Sequence, residues 1–194
     1  DKIPNSALDN YQKVIEKAQI VLNNNLEFKF RSKALLLITQ SYYYRNELQD
    51  AMETLSIIRE EFPNDFLDYE FWGAMIKWKQ GKVQPAINDL NTLVDKDLDL
   101  NTKAKIYKSI AEIYVEQKME YESMDFLEKA AENITDPLEK GLIYYRISEI
   151  SFERKEYDRA LSAYQQVIKN SQTEKHIQES HLRIVQIYRL QENL

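Results

Sequence analysis

Ala160-Leu161-Ser162-Ala163-Tyr164-Gln165-Gln166-Val167-Ile168 repeats, at six of nine positions, the stretch Ala7-Leu8-Asp9-Asn10-Tyr11-Gln12-Lys13-Val14-Ile15 that lies 153 residues earlier. Weaker copies stand between them: Ala51-Met52-Glu53-Thr54-Leu55 running on to Ile58, Ala86-Ile87-Asn88-Asp89-Leu90 to Leu93, and Ser123-Met124-Asp125-Phe126-Leu127 to Ala130. Each copy sets a small residue first, an apolar one at +4 and another at +7, which is one face of an α-helix. The small residue marks where a second backbone must come close. Upstream of most copies a second helical stripe runs into a short polar turn. Leu35, Ile38 and Tyr42 precede Arg45-Asn46-Glu47; Tyr107, Ile110, Ala111 and Tyr114 precede Gln117-Lys118-Met119; Tyr144, Ile147 and Ile150 precede Arg154-Lys155-Glu156. In the second unit the turn is Gln80-Gly81-Lys82. The small residues Ala51, Ala86, Ser123 and Ala160 are spaced by 35, 37 and 37. Two helices per period of that length make a helical-hairpin solenoid.

Punctuation agrees with this reading. Pro63 follows a helix end, while Pro85 and Pro137 fall in the first turn of a helix, where a missing N–H costs little. Asp136 is placed to cap the next helix, with Glu139 three residues on to close a capping box. The pattern predicts an all-α chain of ten helices: 6–21, 31–45, 48–61, 67–80, 83–95, 102–117, 120–133, 136–154, 157–170 and 174–192. They form about four full units, 31–64, 66–99, 102–135 and 136–172, between a half unit at 1–25 and another at 174–194, in one array over 1–194. The half units at both ends, and an opening Asp1 in place of Met, read as a fragment of a longer protein.

Composition narrows the chemistry. Among 194 residues there are three glycines, four prolines and no cysteine, too little backbone freedom for a many-stranded β fold or a Gly-rich phosphate loop. Disulfides, thiolate metal sites and cysteine nucleophiles are excluded, though compartment is not decided. The longest aliphatic run, Ala34 to Ile38, is far short of the roughly 20 residues that span a bilayer. A net charge of −6 and a pI near 5.1, without a basic run, argue against nucleic acid as partner.

The unit Ser41-Tyr42-Tyr43-Tyr44-Arg45-Asn46-Glu47-Leu48-Gln49-Asp50-Ala51, closed by Pro63, resembles a tetratricopeptide (TPR) repeat, as does Ile147-Ser148 through Tyr157-Asp158-Arg159-Ala160 to Tyr164 and Val167. The resemblance covers nearly the whole chain in one register. The Gly usual at the close helix contact is replaced by Thr39, Ala74, Ala111 and Ser148, all small; in the second unit the preceding aliphatic is Gly73, which makes that register the weakest. What the resemblance implies is a right-handed superhelix with a concave groove lined by the first helix of each pair. It also implies binding of peptides or partner helices there, without a cofactor. The stretch 31–64 and the 37-residue spacing, rich in Asn, Lys, Ile and Tyr, are similar to the TPR region of Bacteroidota type IX secretion and gliding lipoproteins. That implies a lipoprotein of a secretion assembly at the periplasmic face of the outer membrane; without it the expected place is cytoplasmic.

Motifs for catalysis are not found. His176 and His181 are five residues apart on one helix and point about 140° apart, unlike zinc ligands at i and i+4. Glu112-Glu116 and Glu149-Glu153 stack at i, i+4, but acid–base work needs convergence from different elements. Asp95-Lys96-Asp97-Leu98-Asp99 alternates like a calcium loop yet has neither its Gly at the sixth position nor its Glu at the twelfth, which is Ile106. Asn133-Ile134-Thr135 is a chance glycosylation sequon. The reading is of no enzyme, no metal site and no small-molecule substrate.

Groove-facing candidates follow from the register: Lys33, Leu36, Gln40, Tyr43 and Tyr44; then Phe71, Trp72, Met75, Trp78 and Lys79; then Lys105, Lys108, Glu112, Val115 and Glu116; then Tyr145, Arg146, Glu149 and Phe152; and Arg183, Gln186 and Arg189. The partner-binding set is Tyr43, Tyr44, Phe71, Trp72, Met75, Trp78, Lys79, Lys108, Glu112, Tyr145, Arg146 and Phe152, because Trp, Tyr and Arg carry most interface energy. Aromatics at helical spacing also serve as core, and Phe71 and Trp72 fit that alternative. The carboxylate clamp with which some TPR proteins grip chaperone tails is not matched: its asparagine positions hold Gln40, Met75, Glu112 and Glu149, and Trp72, Ser109 and Arg146. The expected function is a non-catalytic protein-interaction scaffold within a larger assembly, with a peptide-sensing regulatory domain of a transcription regulator or kinase as the alternative.

Overall fold

The computed structural model describes residues 5–24 and 28–192. Among these, ten α-helices and one short 3-10 turn at Pro63–Asp65 account for the regular structure, and no strand occurs. The helices are α1 (Asn5–Asn23), α2 (Phe28–Tyr44), α3 (Leu48–Glu61), α4 (Phe66–Lys79), α5 (Val83–Val94), α6 (Leu100–Glu116), α7 (Glu120–Asn133), α8 (Pro137–Glu153), α9 (Tyr157–Asn170) and α10 (Glu174–Glu192). The all-α expectation holds, and each helix lies within about three residues of its expected bounds.

The chain divides into two compact units, residues 1–95 and 96–194. In the first, α1 to α5 pack in chain order, and α2 also meets α4. In the second, α6 to α10 pack each on the next. This is the layering of an α-solenoid: first helices α2, α4, α6, α8 and α10 alternate with second helices. The spaced small residues carry it. Ala51, Ala86, Ser123 and Ala160 are each 0 % exposed, and Thr39, Ala74, Ala111 and Ser148 on the facing first helices are buried too. Side chains of this size let paired backbones approach.

Each hairpin turn is made alike. Asn46, Gly81, Lys118 and Lys155 have φ of 62°, 80°, 60° and 63°. The next N–H reaches back five residues, Glu47 to Tyr42 O, Lys82 to Lys77 O, Met119 to Tyr114 O and Glu156 to Ser151 O. That pairing satisfies the otherwise orphaned C-terminal carbonyls of the first helix.

Two caps differ from expectation. Asp136 does cap α8, but its side chain accepts from Leu138 N at 3.2 Å, and Glu139 pairs with Lys108 instead of closing a capping box. Helix α6 begins at Leu100, before the expected 102, because Asp99 accepts from Thr102 N and Thr102 Oγ1. Those bonds hold the Asp99 carboxyl below its ordinary range.

Candidate functional site: the first-helix faces

In the first unit the expected aromatic residues do come together. The Tyr44 ring stacks on Tyr11 at 5.4 Å between centroids and meets Trp72 edge-on at 6.1 Å. Tyr43 lies 5.3 Å from Trp72, and Phe71 5.4 Å from it, both edge to face. Lys79 Nζ stands 4.8 Å over Trp78 and 5.9 Å from the Tyr43 centroid. Such geometries add attraction beyond buried area. Yet Tyr43, Phe71, Trp72, Met75 and Trp78 are buried, where the expectation had them lining an open groove. The reason is direct packing of α2 against α4, with α4 apolar around most of its circumference, so these side chains form the floor. Tyr44 and Lys79 are exposed. Tyr11, Phe30 and Leu37 went unassigned; Leu37 and Phe30 are exposed seven and fourteen residues before Tyr44, in line with it on α2.

In the second unit the first helices are tied together by polar side chains one repeat apart. Lys108 of α6 pairs with Glu139 of α8, beside a cleft of about 410 Å³ that Lys105 and Glu112 also line. The Tyr145 hydroxyl of α8 donates to Glu179 Oε2 of α10 at 2.7 Å, and the ring stacks on His176 at 4.2 Å. Glu149 accepts from the buried Tyr164 hydroxyl of α9 and sits 3.5 Å from Arg183 Nη2. The Arg183 guanidinium lies 4.5 Å over the Phe152 ring. Arg146 and Glu112 are exposed, while Lys108, Tyr145 and Phe152 are half-buried.

Electrostatics follow from this packing. Burial, and then the hydrogen bond to Glu179, push the Tyr145 phenol up to about 12. Burial followed by Glu149 drives Tyr164 upward as well. Both phenols keep their protons at neutral pH and act as donors. Among the described residues no group of three or more His, Asp or Glu is placed to hold a metal ion. The arrangement offers rings, carboxylates and guanidinium groups fixed by neighbours on successive helices. Sequence reading missed His176, Glu179 and Tyr164; the one available signal was the 34-residue offset that aligns Glu179 with Tyr145 and Arg183 with Glu149.

Comparison with known proteins agrees with the fold. The tetratricopeptide repeat family model matches residues 33–65 and 143–172. No curated protein sequence matches the chain. Among solved structures, BtubC (BKLC) from P. vanneervenii superposes with a TM-score of 0.59 at 11% identity, over 97% of this chain and 84% of that one. A thermophilic TPR protein of Thermus thermophilus gives 0.55 at 13% identity, over 94% and 93%. At these identities the likeness is one of fold.

Proposed function

We propose, from the premise that this chain carries tetratricopeptide repeats, that it is a non-catalytic scaffold that holds a peptide or protein partner on its first-helix faces. The observation that supports this most is the set of cross-helix pairs Lys108–Glu139, Tyr145–Glu179 and Glu149–Arg183. They fix polar and aromatic groups before any partner arrives, so little side-chain ordering remains to oppose binding. The residues we assign to contact are Tyr44 and Lys79 in the first unit and Lys108, Glu112, Tyr145, Arg146 and Phe152 in the second. Tyr43, Phe71, Trp72, Met75 and Trp78 support the first of these from beneath. A role in a secretion or cell-envelope assembly is the part of the proposal that rests on sequence resemblance; a lipobox cysteine in the upstream reading frame is its test.

Photo-reactive residues placed at Lys79, Glu112 and Arg146, and as controls at Gln165 and Lys169 on the second helix α9, test the face in native cells. Cross-links to a common partner are expected from the first three positions alone. Equal yields from the α9 positions would refute the assignment.

A further inference from the structure

The turn residues Asn46, Gly81, Lys118 and Lys155 put the four repeat units 31–64, 66–99, 102–135 and 136–172 in one register, and the second of these repeat units, 66–99, departs from the others where first and second helix meet. Eight residues before the turn stand Ile38, Ile110 and Ile147, all buried; the second unit has Gly73. Eleven before it are Leu35, Tyr107 and Tyr144, against Glu70. Four before it are Tyr42, Tyr114 and Ser151, against Lys77; eight after it are Thr54, Phe126 and Ala163, against Asp89. In the third unit these positions form an aromatic cluster, Phe126 lying 5.4 Å from Tyr114 and 6.5 Å from Tyr107. In the second unit Lys77 binds Asp89, and a cleft of about 400 Å³ opens between α3 and α5 over Gly73. Its floor is Met52, Leu55 and Gly73, and Arg59, Glu70 and the Lys77–Asp89 pair stand around it.

The fold gives no steric reason for this glycine. Gly81 takes its φ of 80° without the strain that Lys118 and Lys155 carry at the same turn position, and a Cβ on Gly141 would meet Ser171 Cα at 2.7 Å. A Cβ on Gly73 would meet only Leu55 Cδ2, at an ordinary 3.7 Å. Glycine inside a helix weakens it relative to alanine. A residue that costs stability and relieves no clash, at the bottom of a cleft and at a position where three sister repeats carry a buried isoleucine, points to an occupant from outside.

We propose that the cleft over Gly73 is a docking site for one bulky apolar side chain, leucine, isoleucine or phenylalanine, borne on a segment of a partner protein. The vacancy is shaped by the side chains that Ile38, Ile110 and Ile147 supply in the other units, so the occupant completes the apolar seam. Around the apolar floor the rim is polar, with Arg59, Glu70 and the Lys77–Asp89 pair, so an apolar side chain can enter while its own backbone stays among polar groups. The site lies between second helices and is separate from the first-helix faces.

The probes are N-acetyl N-methylamides of leucine, phenylalanine and alanine, titrated into the 194-residue protein while the Gly73 amide and the Met52 and Leu55 methyl groups are followed by NMR. The leucine and phenylalanine compounds are expected to shift these signals saturably, at least about tenfold more tightly than alanine. Gly73→Leu fills the cleft and abolishes the shifts; Gly73→Ala, the smaller change, weakens them and raises the melting temperature. No preference over alanine, shifts that persist in Gly73→Leu, or a melting temperature lowered by Gly73→Ala would each overturn the proposal.

Discussion

Tyr145 shows how one side chain here joins packing to binding. Its ring lies on His176, its hydroxyl donates to Glu179, and its phenol is raised from 10.0 to about 12. The folded state therefore holds this proton more tightly than the unfolded chain does. The stabilisation is complete below pH 10 and is lost as pH climbs towards 12. A phenolate-absorbance titration of Tyr145→Phe should lack one step near pH 12 that the parent shows, and its stability should fall less steeply across that interval. A parent step for this residue at the ordinary tyrosine pKa would contradict the geometry. That Tyr145 and Phe152, seven residues apart, share a side of α8 was legible in sequence because the faces of a helix are fixed by its period. Glu179 and Tyr164 were not, since pairing across helices depends on how far each axis is displaced. Of the five buried aromatic and Met residues of α2 and α4, Phe71 and Trp72 take the core alternative, while Tyr43, Met75 and Trp78 depart from the groove expectation for a related cause: a helix apolar on most sides has no unique inward face.

Helices and turns were the most legible level, because small-residue spacing and polar turns repeat with one period and three prolines fall at helix boundaries. What escaped was local hydrogen bonding: the early start given by Asp99 and the diversion of Glu139 to Lys108 both turn on a single side chain's choice of partner. The turns carry a testable cost. Lys118 and Lys155 hold φ near +60°, where a Cβ crowds the following carbonyl, while Gly81 meets the same geometry freely. Lys155→Gly should therefore stabilise the protein by about 0.5–1 kcal/mol, after allowance for glycine's greater freedom in the unfolded chain. Asn46→Gly should gain less, as asparagine already tolerates that region. The check is the urea midpoint at an unchanged slope. A lower midpoint for Lys155→Gly would mean the lysine side chain contributes more than its backbone costs.

At the scale of the molecule, packing of each helix on the next within each compact unit makes stability a sum of local terms rather than the property of one shared core. The chain contains its own reporters for this. Both tryptophans, Trp72 and Trp78, are buried on α4 in the first unit, so their fluorescence reads that unit alone, while far-ultraviolet circular dichroism reads every helix. Ile147, buried in the second unit with Met124, Leu127 and Ala163 in its cluster, is the place to weaken the other side. Ile147→Ala removes three carbons from a packed seam and should cost about 2–4 kcal/mol there. If terms are local, helicity is lost in an early step, and the tryptophan signal keeps a midpoint close to the parent's. A body with one cooperative core would instead lose both signals together at a lower denaturant concentration. Amide exchange gives the same answer by residue: in Ile147→Ala, protection should fall most in α8 and α9 and least in α1 and α2. Coincident transitions together with uniform loss of protection would show that repetition in the sequence does not make this chain an array in its energetics.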